Sequence, residues 1–572
     1  MGTIADKLVY LQGTKSAIKN AIVSKGVTVP TGTSFRDYAT KIGNITTGGG
    51  TPTADPYVRP AEWLALPPNV NGVEKVSILK SVFDTDSEFT AFTCQGNYTV
   101  DWGDGTVENF TSNTKAEHKY DYSNINLNSD TVSKFGYKQC VITITPQSGQ
   151  TLTKCLLNQY HTSISNSYSY NMNSGFLDIN INLPNVTSTS NFGIGTLFIG
   201  SASSCVNMSS LERVSIGQIG LIDLSYLFYN CYSIQEILFD FDTSIIKSWT
   251  NTFFGCYSLQ KCPTIVFNPS GVLSVASMFS GCYSLVEIQD INITIVSNII
   301  ESMFSGCYRL TKLVLNITSS VNLSFVNLFQ NCYGLSDLIL TLSGEGKVTN
   351  LNSTFQNCYS LTEAPVLDTS ACTSFSGTFS NSGIVVAPDY NYLSATALNS
   401  CYSGCKSLVY VPDITVSSAC TNLSSLFSSC SALGKAPNIT GTTNVTTVSG
   451  MLSSCISLIS VPTYDFPAIT GTGANTIFPG CSSLKVISPI NIGTAFTSNG
   501  NTVSANYALA RMLMPLKYTF SVANAKMSAA ALNEMFSILP TVTDQTVTVT
   551  GNYGASTCDT TIATAKGWTV VT

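Results

Sequence analysis

Apolar residues recur in one phrase down nearly half of the chain. Phe, Cys and Leu follow one another at three-residue steps, with Ser, Gly, Asn and Tyr between them. Two clear copies are Met278-Phe-Ser-Gly-Cys-Tyr-Ser-Leu285 and Met303-Phe-Ser-Gly-Cys-Tyr-Arg-Leu310. Met278, Phe279, Cys282 and Leu285 fall at helical spacing, which predicts one short helical turn that points them inward. Ile291, Ile293 and Ile295 then alternate with polar residues, which predicts a short strand. One unit therefore reads helical turn, bend, strand, loop.

The anchor cysteines are Cys231, Cys256, Cys282, Cys307, Cys332, Cys358, Cys405, Cys430, Cys455 and Cys481, spaced 25 or 26 residues apart except for one gap of 47. That gap holds a further copy, Thr378-Phe-Ser-Asn-Ser-Gly-Ile384, with Ser382 in the cysteine position. The copy at 452–458 departs again, with Leu452 in place of Phe. Both changes weaken packing locally without breaking the count. Eleven copies at a fixed period predict a solenoid. A single unit cannot bury its own apolar face, so neighbours stack into one core. Stacking predicts a parallel sheet along one side, a buried file of Phe279, Phe304, Phe329 and Phe355, and a parallel file of thiols.

Other patterns flank the repeats. Residues 1–45 read as an N-terminal helical anchor whose heptad seam is Ile4, Leu8, Leu11, Ile18 and Ile22. Residues 46–56 have Gly/Pro/Thr linker composition. Residues 57–150 read as a small β-sandwich, 151–223 as a transition and N-terminal cap, 224–500 as the solenoid and 501–572 as a C-terminal cap. In that cap, 507–516 and 529–539 are helical in pattern, 546–550 is a strand and 559–567 a short helix. The fold class expected is mostly β with short helices: a right-handed leucine-rich-repeat solenoid of about eleven coils behind a β-sandwich and a helical anchor.

Composition narrows the chemistry. Only 10% of the 572 residues are charged, against roughly 25% in ordinary soluble proteins. With 44% hydrophobic residues the chain still has material for a core. A net charge of −6 leaves no basic footprint for nucleic acid or anionic lipid. No apolar run approaches the roughly 18 residues that span a membrane. Met1-Gly-Thr-Ile-Ala-Asp-Lys7 has no basic region followed by an apolar one, so it does not read as a secretory signal. The expectation is a protein made and kept in the cytoplasm, or one that leaves it by cell lysis.

Of nineteen cysteines, ten sit in one column. In-register side chains point the same way about 5 Å apart, too far for disulfides. They read as buried, reduced thiols that pack as small hydrophobes, and Cys401 reads as a further core position. No metal spacing and no cofactor motif is evident. Asp101 and Asp104 lie in a tight turn, Asp101-Trp-Gly-Asp-Gly105, and read as turn residues; His118 reads as a structural histidine beside Tyr120. The repeats are poor in the paired carboxylates a glycan depolymerase needs, so no enzyme is expected.

One column is unusual: Tyr232, Tyr257, Tyr283, Tyr308, Tyr333 and Tyr359 each follow an anchor cysteine directly. They read either as a stacked ladder that stabilises the coils or as an aromatic stripe for sugar rings or a partner protein. The column ends at Lys406.

Three resemblances follow from these residues. The repeat phrase over 224–500 resembles BspA-type leucine-rich repeats. The turn Asp101-Trp-Gly-Asp-Gly-Thr106, with His118-Lys-Tyr120 and the strand around Val141 and Ile144, resembles PKD-type β-sandwich domains. The opening Lys7-Leu-Val-Tyr10 to Gly26 with Phe35-Arg-Asp-Tyr38, and the tail Ala529 to Trp568, resemble segments of phage virion proteins. Together they imply a non-enzymatic phage structural protein: a tail fibre, baseplate or head appendage that mediates adhesion to a host-surface glycan or protein. It would join other virion proteins, or itself as a dimer or trimer, through its N-terminus. The alternative is a bacterial cell-surface BspA-type adhesin.

Overall fold

In the computed structural model the described residues are 57–84, 89–125, 135–159, 161–163, 174–188, 192–193, 208–493, 503 and 506–572. The anchor at 1–45, its seam of Ile4, Leu8, Leu11, Ile18 and Ile22, and the linker at 46–56 lie outside them.

The N-terminal part of the described chain is two sheets face to face. One contains β1 (Lys75–Val82), β3 (Tyr98–Asp101), β4 (Val107–Phe110) and β6 (Lys138–Pro146), and the other β2 (Phe89–Gln95), β5 (Lys115–Lys119), β7 (Lys154–Leu156) and β9 (Phe192–Gly193). The first does not stop at the sandwich. β1 pairs antiparallel with β8 (Phe176–Leu183), which pairs parallel with β10 (Arg213–Ile219) and through it with β11 (Glu236–Phe239). β8 is thus both a sandwich strand and the first rung of the solenoid, and the sandwich draws on residues well past 150. The sequence between β6 and β10 lacks the repeat phrase, so the shared strand left no signature there.

Asp178 on β8 fastens this junction. It is fully buried between the guanidinium groups of Arg59 (2.7 Å) and Arg213 (3.0 Å). The carboxamide of Asn182 donates to Val70 O and Val73 O, and that of Asn180 to Pro67 O. These contacts hold 57–74 across the outer face of the sheet, where Trp63 packs with Leu79, Tyr137 and Leu177.

Lys80 on β1 is wholly buried, with no carboxylate paired to it among the described residues. Its amine donates to Ser174 O at 2.6 Å, and burial lowers its pKa from 10.5 to about 7. The unfolded chain therefore binds the extra proton between pH 7 and 10.5, so this group makes stability rise with pH across that window and leaves it flat below. From pH 7 to 9 the gain is about 2–3 kcal/mol. Replacing Lys80 with Met is expected to raise the melting temperature at pH 7 and to reduce that difference by pH 9. A difference that did not change with pH would mean the amine is charged in the fold.

The repeats form a β-solenoid of about 14 turns, mostly β with few helices. Coils without the cysteine, at β8, β10 and after residue 503, extend it at both ends. The segment expected as a helical turn is instead a chain of tight turns. Two positions per coil, four residues apart, have positive φ: Ser277 (51°) and Gly281 (76°), Ser302 (57°) and Gly306 (78°), Asn327 (55°) and Asn331 (62°). A right-handed helix cannot pass through a left-handed residue, and Gly and Asn are the residues that tolerate one best. Every second amide reaches the next coil, as Ser277, Phe279 and Gly281 donate to Glu301, Met303 and Ser305. The amides between them close turns within their own coil, as Cys282 N to Phe279 O. Helical spacing in the phrase thus reflects a turn that repeats every four residues.

Phe228, Phe253, Phe279, Phe304, Phe329, Phe355 and Phe379 stack in one buried file, with centroids 5.2–5.8 Å apart and planes within 14°. Tyr402 continues the file, and its hydroxyl meets that of Tyr392 at 2.7 Å. The ten anchor thiols are free and fully buried beside it. Nine of them donate to a carbonyl of the preceding coil, as Cys307 Sγ to Phe279 O at 3.3 Å and Cys332 Sγ to Phe304 O at 3.1 Å. That donor distinguishes Cys from an alkyl side chain of similar size.

The strand side is less continuous than a sheet in every coil. The longest stretch is β12 (Ile291–Ile295), β13 (Lys312–Ser319) and, after the short β14 (Leu323–Ser324), β15 (Asp337–Ser343). Elsewhere a proline stands four residues after the phrase's last apolar residue: Pro263, Pro365, Pro388, Pro412, Pro437 and Pro462. Proline removes a ladder donor, and in these coils strands shrink to two or three residues or single bridges.

In the C-terminal coils α1 (Ala529–Ile538) lies between two parallel rungs, Phe520–Ser521 and Gln545–Thr548, and is capped by the Ser528 hydroxyl accepting from Ala531 N. Lys566 donates to the carbonyls of Phe536, Ser537 and Leu539 at its other end. The short α2 (Thr561–Thr564) follows. Residues 507–516 are not helical; they contribute a strand at Arg511–Met512 that extends the coil stack.

Candidate functional site

The left-handed residue before each anchor cysteine turns the backbone, so Cys points inward and the next residue outward. This places the six tyrosines in one column. Centroid separations are 4.7 Å (Tyr232–Tyr257), 4.5 Å (Tyr257–Tyr283), 4.5 Å (Tyr283–Tyr308), 4.6 Å (Tyr308–Tyr333) and 5.2 Å (Tyr333–Tyr359). Each ring is partly exposed, reaching 56% at Tyr359. Such pairs contribute about 0.5–1.5 kcal/mol each beyond area burial.

The geometry separates two modes of recognition. Inside the column both faces of each ring are covered by its neighbours, so no inner tyrosine can lie flat against a sugar ring. What the column offers outward is ring edges and a row of hydroxyl groups at coil spacing. Only the outer faces of Tyr232 and Tyr359 have no column tyrosine against them. Burial and the neighbouring hydroxyls of Tyr283 and Tyr333 push the Tyr308 phenol up to about 12.

A second column was missed in the sequence. Two residues after the phrase's last apolar residue stand Arg213, Glu236, Lys261, Glu287, Lys312 and Asp337, alternating in sign coil after coil. Buried Asp178 heads the series beside Arg213. Ion pairs join Arg213 to Glu236 (2.8 Å), Lys261 to Glu287 (2.6 Å) and Lys312 to Asp337 (3.3 Å). The signal lies at a fixed offset from the phrase, outside its own apolar positions. Beyond Asp337 alternation fails: Glu363, Val386 and Tyr410 follow. Lys261 and Glu287 are about half exposed, so each pair contributes little. Glu287→Lys would set three lysines in one column; a loss of about 1 kcal/mol at low salt that fades at high salt is expected. Salt-independent destabilisation would point to packing instead.

A groove of about 330 Å³ lies beside this column, lined by Tyr57, Glu236, Lys261, Pro263 and Glu287 among others. It opens where Pro263 ends the sheet after β11. A second, of about 450 Å³, lies between β15 and Pro365-Val366, for the same reason.

In the sandwich, Gly103 (φ 79°) and Gly105 (φ 96°) shape the turn between β3 and β4. A Cβ at Gly103 would sit 2.5 Å from Val141 O. The Asp104 carboxylate accepts from Thr106 N (3.0 Å) and meets His118 Nε2 at 2.7 Å. His118 stacks on Trp102 at 4.7 Å. Both residues thus have structural partners within the turn. Among the described residues no group of three or more His, Cys, Asp or Glu gathers as a metal site.

Residues 206–319 match the model of a family described as Mycoplasma protein of unknown function, DUF285. No curated protein matches the chain. The match covers the end of the sandwich junction and the first coils with β10 to β13, including four of the six column tyrosines. The chain therefore carries a DUF285-type repeat domain folded as a β-solenoid, consistent with a BspA-like repeat protein.

Proposed function

We propose that this chain is a non-enzymatic adhesion protein of a phage particle, a tail fibre, baseplate or head appendage. In this reading its solenoid presents the tyrosine column to a glycan or protein on the host surface. The observation that carries the adhesive part is the column itself. Six hydroxyl-bearing rings in fixed register on a stacked scaffold form a preorganised surface, and preorganisation lowers the entropy cost of binding. Because inner ring faces are covered, the contact is by hydroxyls and ring edges. That suits an extended polymer whose own hydroxyls repeat along its length better than a single stacked sugar. The virion part rests on the resemblance of residues 7–38 and 529–568 to virion proteins, with the N-terminus as the attachment point. The second reading, a bacterial cell-surface adhesin, is favoured by the Mycoplasma family match over 206–319.

The adhesive claim is tested by retention of the full chain on immobilised bacterial surface polysaccharides and on intact bacterial cells. Tyr283→Ala with Tyr308→Ala opens the middle of the column without touching the buried file. A tenfold or greater loss of retention is expected, with the circular dichroism spectrum unchanged. Retention equal to wild type on every surface that the wild type binds would move the binding site off this column.

A further inference from the structure

We infer that Cys94 and Cys155 are a disulfide-forming pair that locks the two-sheet domain when the protein meets an oxidising environment. The inference is independent of what the tyrosine column binds. Cys94 on β2 and Cys155 on β7 stand directly opposite each other in an antiparallel ladder. The carbonyl of Cys94 accepts from Asn113 N at 2.9 Å, on the side away from β7. Its backbone groups therefore turn away from Cys155, which makes this a non-hydrogen-bonded pair, the kind in which facing side chains come closest. The two Sγ atoms lie 3.5 Å apart, and both residues are fully buried. Modest rotation of the side chains brings them to bonding distance with no strand displaced.

The solenoid thiols are placed differently. Cys256, Cys282, Cys307, Cys332 and Cys358 each aim at a backbone carbonyl of the preceding coil. Cys94 and Cys155 aim at each other, and the Cys155 thiol raises the resistance of Cys94 to ionisation. The reaction is a thiol–disulfide exchange. One cysteine, as thiolate, attacks an oxidised low-molecular-weight disulfide and expels one thiolate. The second cysteine, deprotonated in turn, attacks the mixed disulfide and expels the other. Two protons leave, and the two electrons reside in the reduced small thiol. Because the pair is buried, the exchange proceeds during folding or by local opening of the three-residue β7. The partners are 61 residues apart in sequence, so the bond closes a loop that contains β3, β4, β5 and β6. Long closed loops give the larger stabilisation.

The test uses the full chain equilibrated with glutathione disulfide and with dithiothreitol. Each sample is alkylated under denaturing conditions, digested without reduction and analysed by mass spectrometry. Expected in the oxidised sample is one linked peptide pair joining Cys94 to Cys155, with the anchor thiols alkylated. Cys94 and Cys155 alkylated as fully as the anchor thiols, or Cys94 linked to another residue, would overturn the pairing. The oxidised protein should also melt higher than the reduced one, by roughly 10 °C in the transition of the two-sheet domain. Cys155→Ala should abolish that redox dependence. The same redox shift in the variant would overturn the assignment, and where the variant does not fold, the peptide mapping of the wild type decides.

Discussion

Raising the pH past 9 is expected to unfold the solenoid. Burial pushes all ten anchor thiols above their ordinary 9.0, to about 12 at Cys231, Cys332 and Cys405 and to about 11 at Cys481. Their folded pKa lies above the unfolded one, so the stability they contribute is complete below pH 9 and is lost as pH rises. Between pH 9 and the folded values each thiol removes about 1.4 kcal/mol per pH unit. Ten together remove on the order of 10 kcal/mol by pH 10, comparable to the whole stability of an ordinary domain. Lys80 acts in the opposite sense but is a single group. Circular dichroism against pH should show loss of structure between about pH 9 and 10. Thiolate absorbance should rise over the same interval rather than earlier. Thiolates forming near pH 9 with the fold intact would mean the thiols are not in the core.

Phe304→Ala is expected to destabilise the solenoid by roughly 3–5 kcal/mol. Phe304 is fully buried, stacked between Phe279 at 5.6 Å and Phe329 at 5.8 Å. The coil is held to its neighbours by backbone bonds every second residue, so the file cannot collapse into the space left. Coils couple chiefly to adjacent coils, so the damage should be local. Limited proteolysis should cut the variant within about 290–330, and hydrogen exchange should quicken in the coils on either side. A cleavage pattern identical to wild type would remove Phe304 from the core.

The period, the Phe file and the thiol file were legible in the sequence because in-register stacking repeats the same environment at every coil. The tyrosine column was legible for the same reason, though not the consequence that its inner faces are covered. The local conformation differs from the helical turn that the spacing predicts. Met278, Phe279, Cys282 and Leu285 have helical spacing, yet Ser277 and Gly281 are left-handed, and a turn repeating every four residues mimics a helix in apolar pattern. The abundance of Asn, Ser and Gly was the available clue, since these fill the left-handed positions. The junction at β8 was not legible. A strand that pairs antiparallel with β1 and parallel with β10 belongs to two patterns at once, and Asp178 and its arginines lie far apart in sequence.

The most direct measurement is the protein inventory of purified phage particles. Particles are banded in a density gradient from a lysate of cells that express the chain, and analysed by quantitative mass spectrometry. The account predicts the chain at a fixed ratio to the major capsid protein, and its loss from the band when residues 1–50 are deleted. Recovery of the chain only with the envelope of uninfected cells, and none in the band, would contradict it.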